Sequence, residues 1–135
     1  MNNLTLNFSI KEFCITDDPI SLDVADKILH HIKILQPIRD KLKSPINISK
    51  NSGYRPYKYE LDHKRSGESE HVFFGGGAVD LTTSKSNLGK LLELLMKSEY
   101  KRVCYYPNKN FIHCDLKGSG KRFFMCYDGK NWELQ

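Results

Sequence analysis

The chain has 135 residues, of which 39% are hydrophobic and 27% charged, and its formal net charge is +5. This length predicts one compact domain over residues 1–135, and the composition excludes a disordered chain. No run of about 18 apolar residues is present, so we expect no membrane span. The Lys residues are scattered without a nucleic-acid motif, so we expect no nucleic-acid partner. The sequence leaves the oligomeric state open, and we favour a monomer.

The N-terminal sequence, MNNLTLNFSIKEFC, has no basic segment followed by a continuous apolar stretch. It therefore predicts synthesis in the cytoplasm without a signal peptide. Four cysteines are present, and none forms a C-x-x-C pair: Cys14, Cys104, Cys114 and Cys126. We interpret them as reduced thiols packed in strands rather than as a cysteine zinc site.

The predicted elements begin with a short strand or turn region over the first twenty residues. Apolar residues at helical spacing then predict a helix over residues 21–43, with Ser21 as its N-cap and Pro37 expected to kink or split it. Residues 45–52 alternate like a strand, residues 53–77 are typical of a loop, and residues 78–81 predict a short strand. Ser84 or Ser86 is expected to cap a second helix.

Three strands are predicted around residues 103–106, 111–116 and 122–127. Asp128-Gly129 is a hairpin-turn signal before a last strand at residues 131–134. Two helices followed by consecutive strands favour an α+β fold with helices beside an antiparallel sheet.

His71, Asp80 and His113 are candidate metal ligands, because a catalytic Zn²⁺ uses histidine and carboxylate ligands and keeps one position open for water. Such a metal lowers the pKa of its water to about 7 and polarises a carbonyl oxygen, which suits peptide hydrolysis. Strand alternation places Asp80 opposite its apolar neighbours Val79 and Leu81, on a face that can line a cleft. His113 and Asp115 share one strand face by the same reasoning.

Four motifs in the chain resemble a known family: Asn51-Ser52-Gly53-Tyr54-Arg55-Pro56, Ser69-Glu70-His71, Gly76-Gly77-Ala78-Val79-Asp80 and His113-Cys114-Asp115. They are similar to the S-G-Y-R, S-x-H, G-x-A-x-D and H-x-D motifs of the zinc D-Ala-D-Ala carboxypeptidases and phage endolysin peptidases. That family shares its fold with the hedgehog signalling domain. The resemblance therefore implies a hedgehog/DD-peptidase-like fold with an antiparallel sheet, flanking helices and a metal cleft.

By this resemblance one zinc ion is held by His71, Asp80 and His113. The resemblance also implies that Arg55 contacts the substrate carbonyl or carboxylate and that Ser69 contributes to substrate binding. The planar guanidinium of Arg55 suits a carboxylate or a developing oxyanion.

The proton-transfer residue is left open between two roles for Asp115. Relatives often place an acid or a histidine two or three positions before the last ligand, where this chain has Phe111 and Asn110. Asp115 is a candidate general base, or it orients His113 through a hydrogen bond. Glu70 is a second candidate acid.

The loop after His71 is longer than in the family, with four residues instead of two before Gly76. Glycines at positions 75–77 can absorb this length, because glycine tolerates unusual backbone angles. Phe73 and Phe74 are interpreted as core residues, with a lip of the substrate cleft as the alternative.

The resemblance implies a zinc metallopeptidase that hydrolyses peptidoglycan stem-peptide bonds through a zinc-activated water, as a D,D-carboxypeptidase or an endopeptidase. Without a signal peptide, such an enzyme would reach the cell wall after lysis or by virion delivery, which suggests a phage or prophage origin. The alternative is a catalytically degenerate peptidase-like module that binds wall fragments or forms part of a virion.

Overall fold

A computed structural model of the protein describes residues 7–49, 53–56, 71, 73 and 75–134. Its elements are two helices, α1 (Leu22–Leu42) and α2 (Leu88–Met96), and six strands, β1 (Asn47–Ile48), β2 (Ala78–Thr82), β3 (Arg102–Tyr106), β4 (Phe111–Asp115), β5 (Arg122–Tyr127) and β6 (Lys130–Leu134). Short 3-10 turns lie at Lys11–Phe13 and Lys85–Asn87. Within these described residues, no helix combines the length and apolarity that crossing a membrane requires.

The strands form one sheet in the order β1-β2-β4-β3-β5-β6. Every neighbouring pair is antiparallel, as predicted for the sheet, except β3 and β5, which run parallel. The connection over residues 116–121 stays at one end of the sheet, since Arg102 pairs with Asp115 on one side and with Arg122 on the other. Strand β5 therefore begins at the end where β4 stops, which is also the end where β3 begins.

Helix α1 begins where the sequence predicts, because the Ser21 hydroxyl accepts a hydrogen bond from the backbone N–H of Val24 at 3.1 Å. It ends at Lys43, whose φ of 57° is left-handed. Pro37 lies inside the helix without splitting it, contrary to that part of the expectation. Pro37 is exposed, so water can solvate the Lys33 carbonyl that the proline cannot bond, while buried neighbours such as Ile38 hold the helix on the core.

Helix α2 begins one turn later than the predicted serine caps. Ser84 precedes a 3-10 turn and makes no capping hydrogen bond to the backbone. Its hydroxyl instead accepts from the Asn87 side chain at 2.8 Å, and Asn87 is the residue at the N-cap position. The prediction of Ser84 or Ser86 as the helix cap was therefore wrong.

The hydrophobic core lies between the two helices and one face of the sheet. The helices contribute aliphatic residues at helical spacing, and the sheet contributes the inward residues of three strands, which include Val79, Leu81, Val103, Ile112 and Cys114. All five of these strand residues are fully buried, as the predicted alternation requires.

Several smaller sequence predictions are confirmed. Asp128 and Gly129 have φ values of 50° and 75°, the positive angles that a type I′ hairpin turn needs. Phe73 is a core residue with 1% exposure, whereas Phe74 lies outside the described residues. The four cysteines are free thiols, and three of them lie in strands as predicted. Cys14 lies outside the named strands and forms an isolated backbone β-bridge with Tyr54.

Candidate metal centre

A row of residues across four strands places the predicted ligands on the open face of the sheet. Asp80 pairs with His113, His113 with Cys104, and Cys104 with Phe124. Directly paired residues in neighbouring strands share a face, so these four side chains point away from the helices. The predicted alternation of β2 and β4 thus brings the candidate ligands Asp80 and His113 together.

His71 reaches the same point from the loop side. Its Nδ1 donates to the carbonyl oxygen of Gly53 at 3.0 Å, which turns Nε2 toward Asp80 at 3.6 Å from Oδ1. Its own carbonyl accepts from the backbone N–H of Arg55 at 2.7 Å. A Cβ atom at Gly53 would lie 2.2 Å from the backbone oxygen of Phe13, so only glycine fits at this position. The S-G-Y-R motif therefore supports His71 through its backbone.

The three predicted ligands converge. One donor atom from each of His71, Asp80 and His113 lies within 4.8 Å of the others. His113 Nδ1 lies 2.9 Å from Asp80 Oδ1, and the two imidazole rings are 5.3 Å apart in an edge-to-face arrangement. His71 and Asp80 are buried and His113 is partly exposed, which leaves the cluster one side open to solvent.

Electrostatic coupling within the cluster keeps the carboxylate ionised. Burial acts to raise the pKa of Asp80, but hydrogen bonds with His113 and His71 outweigh it and hold the pKa well below its usual range. Burial likewise acts to lower the pKa of His113, but hydrogen bonds with Asp115 and Asp80 raise it to about 9. Two imidazoles gathered around an ionised carboxylate are a site for a cation.

Asp115 lies directly behind His113 and is fully buried. Its Oδ2 is 2.8 Å from His113 Nε2, while Arg102 donates to both of its oxygens at 2.6 to 2.9 Å. The backbone N–H of Lys117 donates to Oδ1 at 3.0 Å. Burial acts to raise the pKa of Asp115, but these partners lower it to about 2. Asp115 thus fixes which imidazole nitrogen of His113 faces Asp80.

This donor set fits a zinc ion. Two histidines and one carboxylate are a recognised ligand set for catalytic zinc, and the other nitrogen of each histidine is held by a carbonyl or a carboxylate. His71, Asp80 and His113 are also the group of metal-ligating side chains found among the described residues.

A cleft of about 320 Å³ opens beside the cluster on the same face. Its lining residues come from four strands: Arg102, Cys104, Tyr106, His113, Phe124 and Asn131. Since His113 belongs both to the cluster and to the cleft wall, a molecule in the cleft would lie next to a metal held by the cluster.

The remaining predicted site residues are only partly described. Arg55 is half-buried and lies beside His71 through its backbone hydrogen bond. Ser69 and the second candidate acid, Glu70, lie outside the described residues.

Two supporting residues were missed by the sequence analysis. Arg102 carried no sequence signal, because its pairing with Asp115 depends on strand register. His31 did carry one, since a histidine occupies the apolar stripe of α1 between Ile28 and Leu35. It is fully buried, with Nδ1 2.7 Å from the Tyr100 hydroxyl and Nε2 3.0 Å from the Gly76 carbonyl oxygen. His31 therefore anchors the glycine loop to α1.

A mixed sheet with two helices on one face, and a His-Asp-His cluster beside a cleft on the other, defines a class of candidate metallohydrolases. The family model described as Peptidase M15 matches residues 5–115, which is most of the chain. The chain therefore belongs to the M15 family of zinc D-Ala-D-Ala carboxypeptidase and endolysin-type peptidases, and the resemblance seen in the sequence is confirmed. No individual curated protein sequence matches the chain significantly.

Proposed function

We propose that the protein is a zinc metallopeptidase that hydrolyses stem-peptide bonds of peptidoglycan, in a single hedgehog/DD-peptidase-like domain over residues 1–135. The observation that carries this proposal is the convergence of donor atoms from His71, Asp80 and His113 within 4.8 Å, beside a cleft. Membership of the M15 family supports the peptide substrate. The proposed site of action is the cell wall, reached after lysis or by virion delivery from a phage or prophage.

One Zn²⁺ held by these three residues would supply Lewis-acid polarisation of the scissile carbonyl and a water of lowered pKa. The side chains of the chain itself organise the site around that ion. Asp80 contributes the negative charge, and the Gly53 carbonyl orients His71. Arg55, beside His71, and Ser69, in the S-x-H motif, are proposed to bind the substrate.

For Asp115 the contacts favour orienting His113 over accepting the proton of the attacking water. Both of its oxygens already accept hydrogen bonds from Arg102, and each has one further partner, in His113 or the Lys117 backbone. A carboxylate with its lone pairs engaged and its pKa lowered is a poor proton acceptor at neutral pH. We therefore propose Asp115 as a positioning residue, and Glu70 stays the other candidate for the general base.

A cleavage assay on purified muropeptides tests this function. With one equivalent of zinc the protein should release shortened peptides, and a chelator should stop the release. His113→Ala should abolish cleavage and zinc binding together, because it removes a ligand. His30→Ala is the matched control: His30 is a half-exposed histidine on α1 that pairs with Glu99, so its loss should leave both activities intact. Cleavage that survives both the chelator and His113→Ala would refute the proposal.

The second candidate function is a zinc-binding module of the same fold without turnover. It is favoured by the engaged state of Asp115 and by Asn110 and Phe111 at positions where relatives carry an acid or a histidine. This candidate predicts one zinc per chain, retained wall-fragment binding and no cleavage of any muropeptide. Measured turnover that Glu70→Gln removes while zinc stays bound would reject it.

A further inference from the structure

We infer that the β5–β6 hairpin forms a subsite beside the metal cluster that selects an uncharged side chain of the peptide substrate. This inference rests on the peptidase function proposed above and adds the substrate preference. The family match ends at residue 115, before either strand of the hairpin begins, so the hairpin's share of the subsite lies beyond the matched residues.

The register of the sheet places the hairpin in the site. Strand β5 pairs with β3 in parallel from Arg102↔Arg122 to Tyr105↔Met125, so Phe124 lies beside Cys104 and one strand further from His113. Strand β6 then continues the sheet, and Cys126 pairs with Asn131 on the same face. Phe124 and Asn131 therefore face the cleft of about 320 Å³ whose opposite wall includes His113.

The part of this wall away from His113 is aromatic and neutral except for Arg102, which is paired with Asp115. Phe124 and Tyr106 supply aromatic rings, Asn131 supplies an amide, and Arg102 supplies the positive charge. The Arg122 guanidinium lies over the Phe124 ring at 4.9 Å from its centroid, which holds the ring in place. Aromatic surface of this kind gains most by covering an apolar part of a ligand.

No carboxylate lines the cleft within the described part of the chain. Glu133 shares the sheet face, but Arg122 donates to its oxygens at 3.2 and 3.4 Å. An ammonium group in the cleft would therefore lose water without gaining an unpaired counter-charge. The wall accepts a neutral side chain and disfavours lysine.

The experiment scans a synthetic stem peptide, with alanine or lysine placed at each position in turn. Calorimetry measures the affinity of the zinc-loaded full-length chain for each peptide, and cleavage is followed in parallel. At one position the wild type should bind the alanine peptide roughly tenfold more tightly than the lysine peptide. Phe124→Ala should weaken alanine-peptide binding roughly tenfold. Trp132→Ala should change it less than twofold, because Trp132 is exposed on the opposite face of the same hairpin.

A negative charge introduced into the cleft wall tests the preference for a neutral side chain more directly. Asn131→Asp should remove or reverse the preference at that position, whereas Asn87→Asp adds the same charge at the start of α2 and should not. Equal binding of all peptides by the wild type, equal effects of Phe124→Ala and Trp132→Ala, or an unchanged preference in Asn131→Asp would overturn the inference. A retained preference without any cleavage would refute the proposed peptidase function alone.

Discussion

Asp115 connects the candidate metal centre to strand β3 on the same face of the sheet, because it contacts the candidate ligand His113 on one side and Arg102 on the other. Arg102 is about one-third exposed, yet its carboxylate partner is fully buried, so the pair is more than a surface ion pair. If Arg102 were lost, the Asp115 charge would remain buried with fewer donors. His113 would then be held less firmly in the orientation that presents Nδ1 to Asp80.

Arg102→Met should therefore weaken zinc affinity by roughly 10- to 100-fold, the usual effect of losing a partner behind a metal ligand. Competition with a chromophoric chelator measures this constant directly. Arg122→Met is the matched control, since Arg122 is the cross-strand neighbour of Arg102 and carries the same charge, but pairs with exposed Glu133. Equal zinc affinities in the two variants would contradict the positioning role of Arg102.

Sequence reasoning reached the candidate ligands and Asp115, but not the other residues that hold them in place. Asp80 and His113 were predictable because strand alternation assigns a face to each residue of a short strand. Arg102 and Gly53 were not, since their contacts join positions 13 and 18 residues away along the chain. Such partners depend on register and on loop path, which local patterns do not encode.

At the scale of elements, the position of His71 depends on a close approach between the backbones of Gly53 and Phe13. The Gly53 Cα faces the Phe13 carbonyl, and the Tyr54 N–H donates to that carbonyl at 2.6 Å. Gly53→Ala should lower the free energy of unfolding by about 1 to 3 kcal/mol, because the added methyl meets backbone. Zinc affinity should fall as well, since the Gly53 carbonyl orients His71. Chemical denaturation and chelator competition measure the two effects.

Gly120→Ala is the control for that loop, because a Cβ atom at Gly120 would meet nothing within 4 Å. Its stability and zinc affinity should match those of the wild type. If Gly53→Ala were equally silent, the close approach of Gly53 to Phe13 would not be needed to position His71.

A substitution in helix α2 should instead stabilise the fold. Gly89 is exposed near the helix start, and a Cβ atom there would have open space around it. Gly89→Ala should raise the free energy of unfolding by about 0.5 to 1 kcal/mol, because alanine loses less backbone entropy in a helix. The melting temperature should rise by roughly 2 to 4 °C in calorimetry. Zinc affinity should stay unchanged, since α2 packs on the face of the sheet away from the cluster.

The helices and most strands were predictable because their apolar periodicity is strong, whereas the sheet topology was not. The parallel pairing of β3 with β5 arises because the connection at residues 116–121 starts β5 at the same end of the sheet as β3, and no pattern within a strand predicts this. The family match stops before β5, so resemblance could not supply this pairing either. The cleft wall formed by Phe124 and Asn131 was therefore outside the reach of the sequence.

At the scale of the whole molecule, the buried His31 makes stability depend on pH. Burial lowers its pKa from 6.5 to about 4, and the hydrogen bond with the Gly76 carbonyl offsets only part of that effect. Between about pH 6.5 and 4 the unfolded chain binds a proton at His31 that the folded chain excludes. Stability from this group is therefore fully present above pH 6.5 and falls as the pH drops through that window.

The free energy of unfolding of the metal-free wild type should therefore fall by about 3 kcal/mol as the pH drops from 6.5 to about 4. Denaturant melts in the presence of a chelator measure it, and His31→Gln should remove most of the slope. The wild type and His31→Gln must be compared with each other, because His113 also makes the free energy of unfolding depend on pH, in the opposite direction and at higher pH. Its pKa is raised to about 9 by Asp115 and Asp80 despite burial, so its contribution is lost as the pH rises toward 9. Parallel slopes for wild type and His31→Gln between pH 6.5 and 4 would mean that His31 is protonated in the folded protein.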